Sequence, residues 1–114
     1  MADRLWFAGE YLDGMQTGQG YMAWGDGRVY RGAWVQSKCT GHGVLTHADG
    51  RRYEGYYLKD KMHGHGVYTW PDGRKYEGLW KNGKQHGNGK YYGQNQVMRA
   101  GIWLEGKRIR WLDV

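Results

Sequence analysis

The sequence predicts an all-β protein, a single-layer, twisted antiparallel sheet of stacked 23-residue β-hairpin repeats. Three observations carry this expectation. Gly-x-Gly pairs stand at Gly18/Gly20, Gly41/Gly43, Gly64/Gly66 and Gly87/Gly89, and a second series runs Gly9, Gly32, Gly55, Gly78 and Gly101, each at a step of 23. Aromatic rings keep the same step, with Phe7, Tyr30, Tyr53 and Tyr76 two residues before that second series and Tyr11, Trp34, Tyr57, Trp80 and Trp103 two after it. Between the ring-rich runs lie turn signals, of which Pro71-Asp72-Gly73 is the clearest: Pro presets φ for a type I turn and Gly takes the left-handed position that closes it. A fixed period of this length marks a repeat architecture.

Taken in order, the chain opens with a strand near Leu5–Tyr11, followed by hairpins near 20–34, 43–57, 66–80 and 89–103. Period-two alternation places ring, Gly and ring on one face of each strand. With three-residue bulged turns, Met22, Leu45, Tyr68 and Tyr91 join that face, as do Trp24, His47 and Trp70. Glycine between two rings leaves a floor on which neighbouring rings can lie. The opposite face carries Arg31, Glu54 and Glu77 beside Val44 and Val67 and is more polar. Polar links such as Leu58-Lys59-Asp60-Lys61-Met62-His63 join the hairpins. Nine strands at about 4.8 Å give a sheet on the order of 40 Å long. A lone hairpin is marginal in water, so each unit borrows its neighbour's rings.

The fourth unit departs from the pattern, with a Gln94-Asn95-Gln96 turn that lacks glycine and Arg99 in the tyrosine slot. The fifth places Arg110 where a glycine would open the next hairpin. These degenerate features read as a cap and a natural end at Val114. The chain is expected to be one domain, 1–114, with repeats beginning near residues 7, 30, 53, 76 and 99, the last incomplete.

Composition excludes several function classes. No run of about 18 apolar residues exists to span a membrane, and the start lacks a signal-peptide core. One cysteine, Cys39, rules out an internal disulfide and fits a reducing, cytoplasmic compartment. The net charge of +6 is spread among interspersed acids. Cys39-x-x-His42 and His63-x-His65 come nearest to metal spacing, yet equivalent histidines of successive repeats lie roughly 10 Å apart. A zinc ligand must sit about 2.0–2.3 Å from its ion, so no metal and no cofactor is expected. No nucleophile, acid–base pair or phosphate loop is present, and the chain is read as a non-enzyme. Stacking sheets do bind single-stranded nucleic acid, but here the fold itself needs the rings, which disfavours that partner.

Tyr30-x-Gly32-x-Trp34, Lys38, Gly41-x-Gly43 and Gly50 resemble one MORN repeat (membrane occupation and recognition nexus). The same holds for Tyr53-x-Gly55-x-Tyr57, Lys61, Gly64-x-Gly66 and Gly73, and for Tyr76-x-Gly78-x-Trp80-x-x-Gly83-Lys84-x-x-Gly87-x-Gly89. Ser37 and Asp60 in a usual glycine slot and Tyr57 for Trp are departures. The resemblance implies a curved sheet with an aromatic groove that binds rather than catalyses, in a cytoskeletal or ciliary assembly. Such a groove would hold a helix or extended segment of a protein partner on Trp24, Tyr30, Trp34, Tyr53, Tyr57, Tyr68, Trp70, Tyr76, Trp80, Tyr91 and Trp103, because rigid rings bury much area at low entropic cost. The alternative is a peripheral contact of Arg51, Arg52, Arg74, Lys75, Lys81 and Lys84 with an anionic phospholipid membrane, each base contributing about 1 kcal/mol. A homo-dimer through the end strands is also expected, with Leu104, Ile109 and Trp111 leaving apolar surface near the C-terminal edge.

Overall fold

A computed structural model of the chain describes residues 4–112. The expected domain, 1–114, runs past both limits, and the reading of Val114 as a natural end lies outside the described residues. The strands are β1 (Arg4–Leu12), β2 (Met15–Trp24), β3 (Val29–Val35), β4 (Lys38–Thr46), β5 (Arg52–Leu58), β6 (Lys61–Thr69), β7 (Lys75–Lys81), β8 (Lys84–Tyr92), β9 (Met98–Leu104) and β10 (Lys107–Trp111). They form one ten-stranded antiparallel sheet in strict chain order. The molecule measures 53 × 24 × 21 Å.

Ten strands replace the nine expected, because the chain turns back after β9 and adds β10; the polar links, in turn, are tight hairpins. Each contains only two turn residues: Asp13-Gly14, Gln36-Ser37, Lys59-Asp60, Asn82-Gly83 and Glu105-Gly106, all with positive φ. That is the type I′ signature, whose twist matches the strands it joins. The even strands therefore begin at Met15, Lys38, Lys61 and Lys84, before the Gly-x-Gly pairs. Positive φ strains a non-glycine residue, and here an inter-hairpin bond offsets it. Ser37 Oγ accepts from the Gln16 backbone N–H at 3.1 Å, and Asp60 Oδ1 from that of Cys39 at 2.8 Å, 21 residues earlier in each case.

The opposite hairpin ends are three-residue bulged turns, as expected. Gly27 N donates to Trp24 O at 3.1 Å, and Gly27, Gly50 and Gly73 take φ of 90–99°. In the fourth turn Gln96 holds this position, and its side-chain amide donates to Gly73 O of the turn before at 3.0 Å.

A single sheet has no second layer to bury its rings, and glycine supplies the solution. Gly9, Gly20, Gly32, Gly43, Gly55, Gly66, Gly78, Gly89 and Gly101 pair successively across nine strands, forming an unbroken row. A Cβ on Gly43, Gly66 or Gly89 would fall within 3 Å of the ring of Tyr30, Tyr53 or Tyr76 respectively. The three tyrosines lie flat along this row, 0–1 % exposed. Their hydroxyls donate to the carbonyls of Ala33, Tyr56 and Leu79 at 2.9–3.0 Å. Those are the residues that the β3–β4, β5–β6 and β7–β8 ladders skip at a bulge.

Rings then meet edge to face in one file: Phe7, Trp34, Tyr30, Tyr57, Tyr53, Trp80, Tyr76, Trp103 and Trp111, with centroids 4.9–5.9 Å apart and planes 79–89° apart. Each such pair adds about 0.5–1.5 kcal/mol beyond area burial. At the last repeat Arg99 occupies the tyrosine slot. Trp111 of β10 lies over Gly101 instead, with the guanidinium groups of Arg99 and Arg108 at 4.1 and 4.5 Å from its ring centre.

Candidate functional site

The ring-bearing face divides into a floor and a surface. Tyr30, Trp34, Tyr53, Tyr57, Tyr76, Trp80 and Trp103 of the expected groove are buried, and with Met22 and Cys39 they form the core. Trp24, Tyr68, Trp70 and Tyr91 are half-buried and stand above that floor. Position along the strand decides which is which. Rings beside the glycine row are buried under a neighbour's ring, whereas rings next to the three-residue turns remain half-buried.

Two depressions open on this face. The first, about 370 Å³, lies among Arg4, Trp24, Arg28, Trp34, Leu45 and Tyr57. The second, about 350 Å³, lies among Trp70, Gln85, Tyr91, Trp103, Arg108 and Trp111. Tyr68, 4.8 Å from Trp70 and 6.0 Å from Trp80, stands near the second depression. Guanidinium groups rim the groove: Arg28 lies 4.8 Å from the Trp24 ring centre and Arg74 5.6 Å from that of Trp70. The result is an apolar cleft with a cationic margin.

Those turn arginines are held in place. Asp26, Asp49 and Asp72 each accept both the backbone N–H and the Nε–H of the arginine two residues on, at 2.7–3.1 Å. The backbone bond, foremost, keeps these carboxyls below the usual aspartate value. Of the six bases considered for lipid contact, Arg51 and Arg74 thus sit beside their own aspartates. Arg52 pairs with Glu54 at 2.9 Å, and Lys75 lies 4.4 Å from the Tyr92 ring centre.

Lys81 and Lys84 flank the Asn82-Gly83 turn at the other edge and belong to a longer row. There Val35 faces Lys38, Leu58 faces Lys61, Lys81 faces Lys84 and Leu104 faces Lys107 across their hairpins. All eight side chains are exposed. Sequence reasoning missed the aliphatic half of this row because the type I′ turns, which set Val35 against Lys38, were read as links.

Among the described residues no group of three or more His, Cys, Asp and Glu side chains is placed to hold a metal ion. His42 packs edge-on against Tyr56, His65 lies 3.8 Å from Glu77, and His86 Nδ1 accepts from Glu105 N at 3.4 Å. Cys39 is buried, and burial, helped by nearby Asp60, pushes its thiol up to about 12, so it is a protonated, poor nucleophile. No helix among the described residues is long and apolar enough to cross a membrane.

The model of the MORN repeat matches residues 7–27, 30–51, 53–73 and 76–98. The chain belongs to the MORN-repeat family. Comparison with curated proteins returns no match. MORN repeats are non-catalytic modules that contact proteins or membranes, and the geometry of this MORN array offers one apolar cleft and one basic-aliphatic edge for such contacts.

Proposed function

We propose that this MORN array is a non-catalytic protein-interaction and scaffold module that takes a helix or an extended segment of a partner protein into its aromatic groove. The observation that carries this reading is the set of half-buried rings, Trp24, Tyr68, Trp70 and Tyr91, on one face above a locked floor. Anchors already fixed in the free protein lose little entropy on binding. A cytoskeletal or ciliary assembly is the setting that the family resemblance favours. The test compares the proteins retained by the intact array with those retained by a Tyr68→Ala/Trp70→Ala variant of unchanged circular dichroism. Loss of two hot-spot rings lowers affinity at least about 30-fold. Retention of the same partners at the same strength by the variant rejects the groove.

A second reading is favoured by one further observation, the Lys38, Lys61, Lys84 and Lys107 row interleaved with Val35, Leu58 and Leu104. Bases beside exposed aliphatics suit an anionic phospholipid surface. Co-sedimentation with vesicles containing phosphatidylserine at about 0.15 M salt tests it. Binding that disappears in Lys61→Glu/Lys84→Glu supports the reading, and absence of binding by the intact chain rejects it.

A further inference from the structure

The two edges of the sheet differ. Strand β10 has five residues, three of them basic, and a register irregularity between Arg108 and Arg110. Short, charged, bulged strands resist pairing with another chain. Strand β1 has nine residues with Arg4 and Glu10 as its only charges, and Leu5, Trp6, Tyr11 and Leu12 stand exposed on it. Among the described residues no strand pairs with its outer side. Its register against β2 also shifts, between Arg4 and Trp6 and between Gly9 and Glu10, but it is longer and less charged than β10.

The repeat supplies an internal measure of what β1 lacks. Tyr11 occupies the slot of Trp34, Tyr57, Trp80 and Trp103, which are 1–7 % exposed, yet Tyr11 is 60 % exposed. In those repeats a ring two strands earlier packs edge-on against the slot, as Phe7 does on Trp34, Tyr30 on Tyr57 and Tyr53 on Trp80. Among the described residues, the ring that packs against Tyr11 is Phe7 of its own strand. The glycine row likewise stops in the open at Gly9, whereas at its other end Trp111 closes it over Gly101.

We propose that β1 is the dimer interface of this protein, pairing antiparallel with β1 of a second copy about a two-fold axis at Gly9. This register sets Gly9 against Gly9 of the second copy, so the glycine row crosses the junction as it crosses every pair from β1 to β9. It also sets Tyr11 against Phe7 of the second copy, and Phe7 against its Tyr11, giving the exposed Tyr11 a second aromatic neighbour. A second copy supplies both a glycine and a ring with one strand, because β1 presents its own glycine with a ring two residues to either side; the ring then comes from the adjacent strand, where the repeats draw it from two strands away. Pairing is unhindered on this side of an odd strand: β5 meets β4 in continuous register from Arg52 to Tyr57. The product is one sheet of twenty strands, with two grooves related by the axis.

Light scattering over a concentration series, coupled to size exclusion, tests the proposal on the full chain. The expected mass is twice the chain's 13.2 kDa, falling to the single-chain value in Tyr11→Lys and remaining doubled in Ile109→Lys. Both substituted side chains are exposed, so circular dichroism should be unchanged. Ala8 and Glu10 of the second copy face each other in this register. Chains carrying Ala8→Cys, mixed with chains carrying Glu10→Cys, should therefore form a disulfide that neither variant forms alone. A monomer at all concentrations overturns the proposal, as does a dimer dissociated by Ile109→Lys but not by Tyr11→Lys. A dimer without the mixed disulfide overturns the register.

Discussion

Replacing Gly66 with alanine separates the steric role of the glycine row from any conformational one. Gly66 has no positive φ, so alanine adopts its backbone freely. In an ordinary strand interior the change stabilises by about 0.5–1 kcal/mol. Here the added methyl falls within 3 Å of three atoms of the Tyr53 ring. Tyr53 must then lift from its place, losing the hydroxyl bond to Tyr56 O and the edge contacts with Tyr57 and Trp80. The bond contributes about 1 kcal/mol and the two ring contacts about 1 kcal/mol each. A net loss of about 2–2.5 kcal/mol follows, a large share of the roughly 5–15 kcal/mol typical of a domain. Urea unfolding followed by tryptophan fluorescence measures it. In a Tyr53→Ala background the same glycine change should be nearly neutral, giving a coupling above about 1 kcal/mol in the double-mutant cycle. A Gly66→Ala protein as stable as the parent refutes the packing scheme.

Three other outcomes are expected. The Tyr57 hydroxyl is buried with no hydrogen-bond partner among the described residues, whereas Trp80 in the equivalent slot donates to Gly66 O at 3.2 Å; Tyr57→Phe should leave stability unchanged or raise it by about 1 kcal/mol in the same assay. Asp60 holds φ at 71° and accepts from Cys39 N, so Asp60→Ala should destabilise by about 1–2 kcal/mol and Asp60→Gly by less, since glycine removes the strain. Burial raises the phenols of Tyr30, Tyr53 and Tyr76 above the ordinary 10, that of Tyr76 to about 12. Stability from keeping these phenols neutral is fully present below about pH 10 and is lost as pH rises through the folded-state values. Absorbance at 295 nm should therefore show buried phenols ionising together with unfolding, and their separate ionisation in the folded protein would contradict the flat-ring core.

The period, the bulged turns and the ring face were legible because each rests on a residue type that the backbone requires at a fixed place. Gly73 must take a positive φ, and Gly66 must leave room for Tyr53. The type I′ turns were half-legible. Asp13-Gly14 and Asn82-Gly83 spell such a turn, but Gln36-Ser37 and Lys59-Asp60 do not, and their conformation depends on bonds to strands 21 residues back. A long-range hydrogen bond leaves no local signature. The split of the rings into floor and surface was also hidden. Trp24 and Trp34 share a face and a chemistry, and alternation cannot tell that Phe7 and Tyr30 cover one while Arg28 lies over the other. The role of Trp111 was obscured for a related reason: β10 slips its register so that this ring reaches Gly101.

The strict chain order of the hairpins has a consequence for how such a molecule can change size. Every ring contact, turn bond and strand pairing described links a hairpin to itself or to the one beside it. Excising or duplicating one 23-residue block therefore leaves each remaining junction chemically intact. Length would change by two strand spacings, about 9.6 Å, while the cross-section and the character of both edges stay the same. The array is a ruler whose graduations are written in the gene, and the distance it spans can be reset without redesigning its surface.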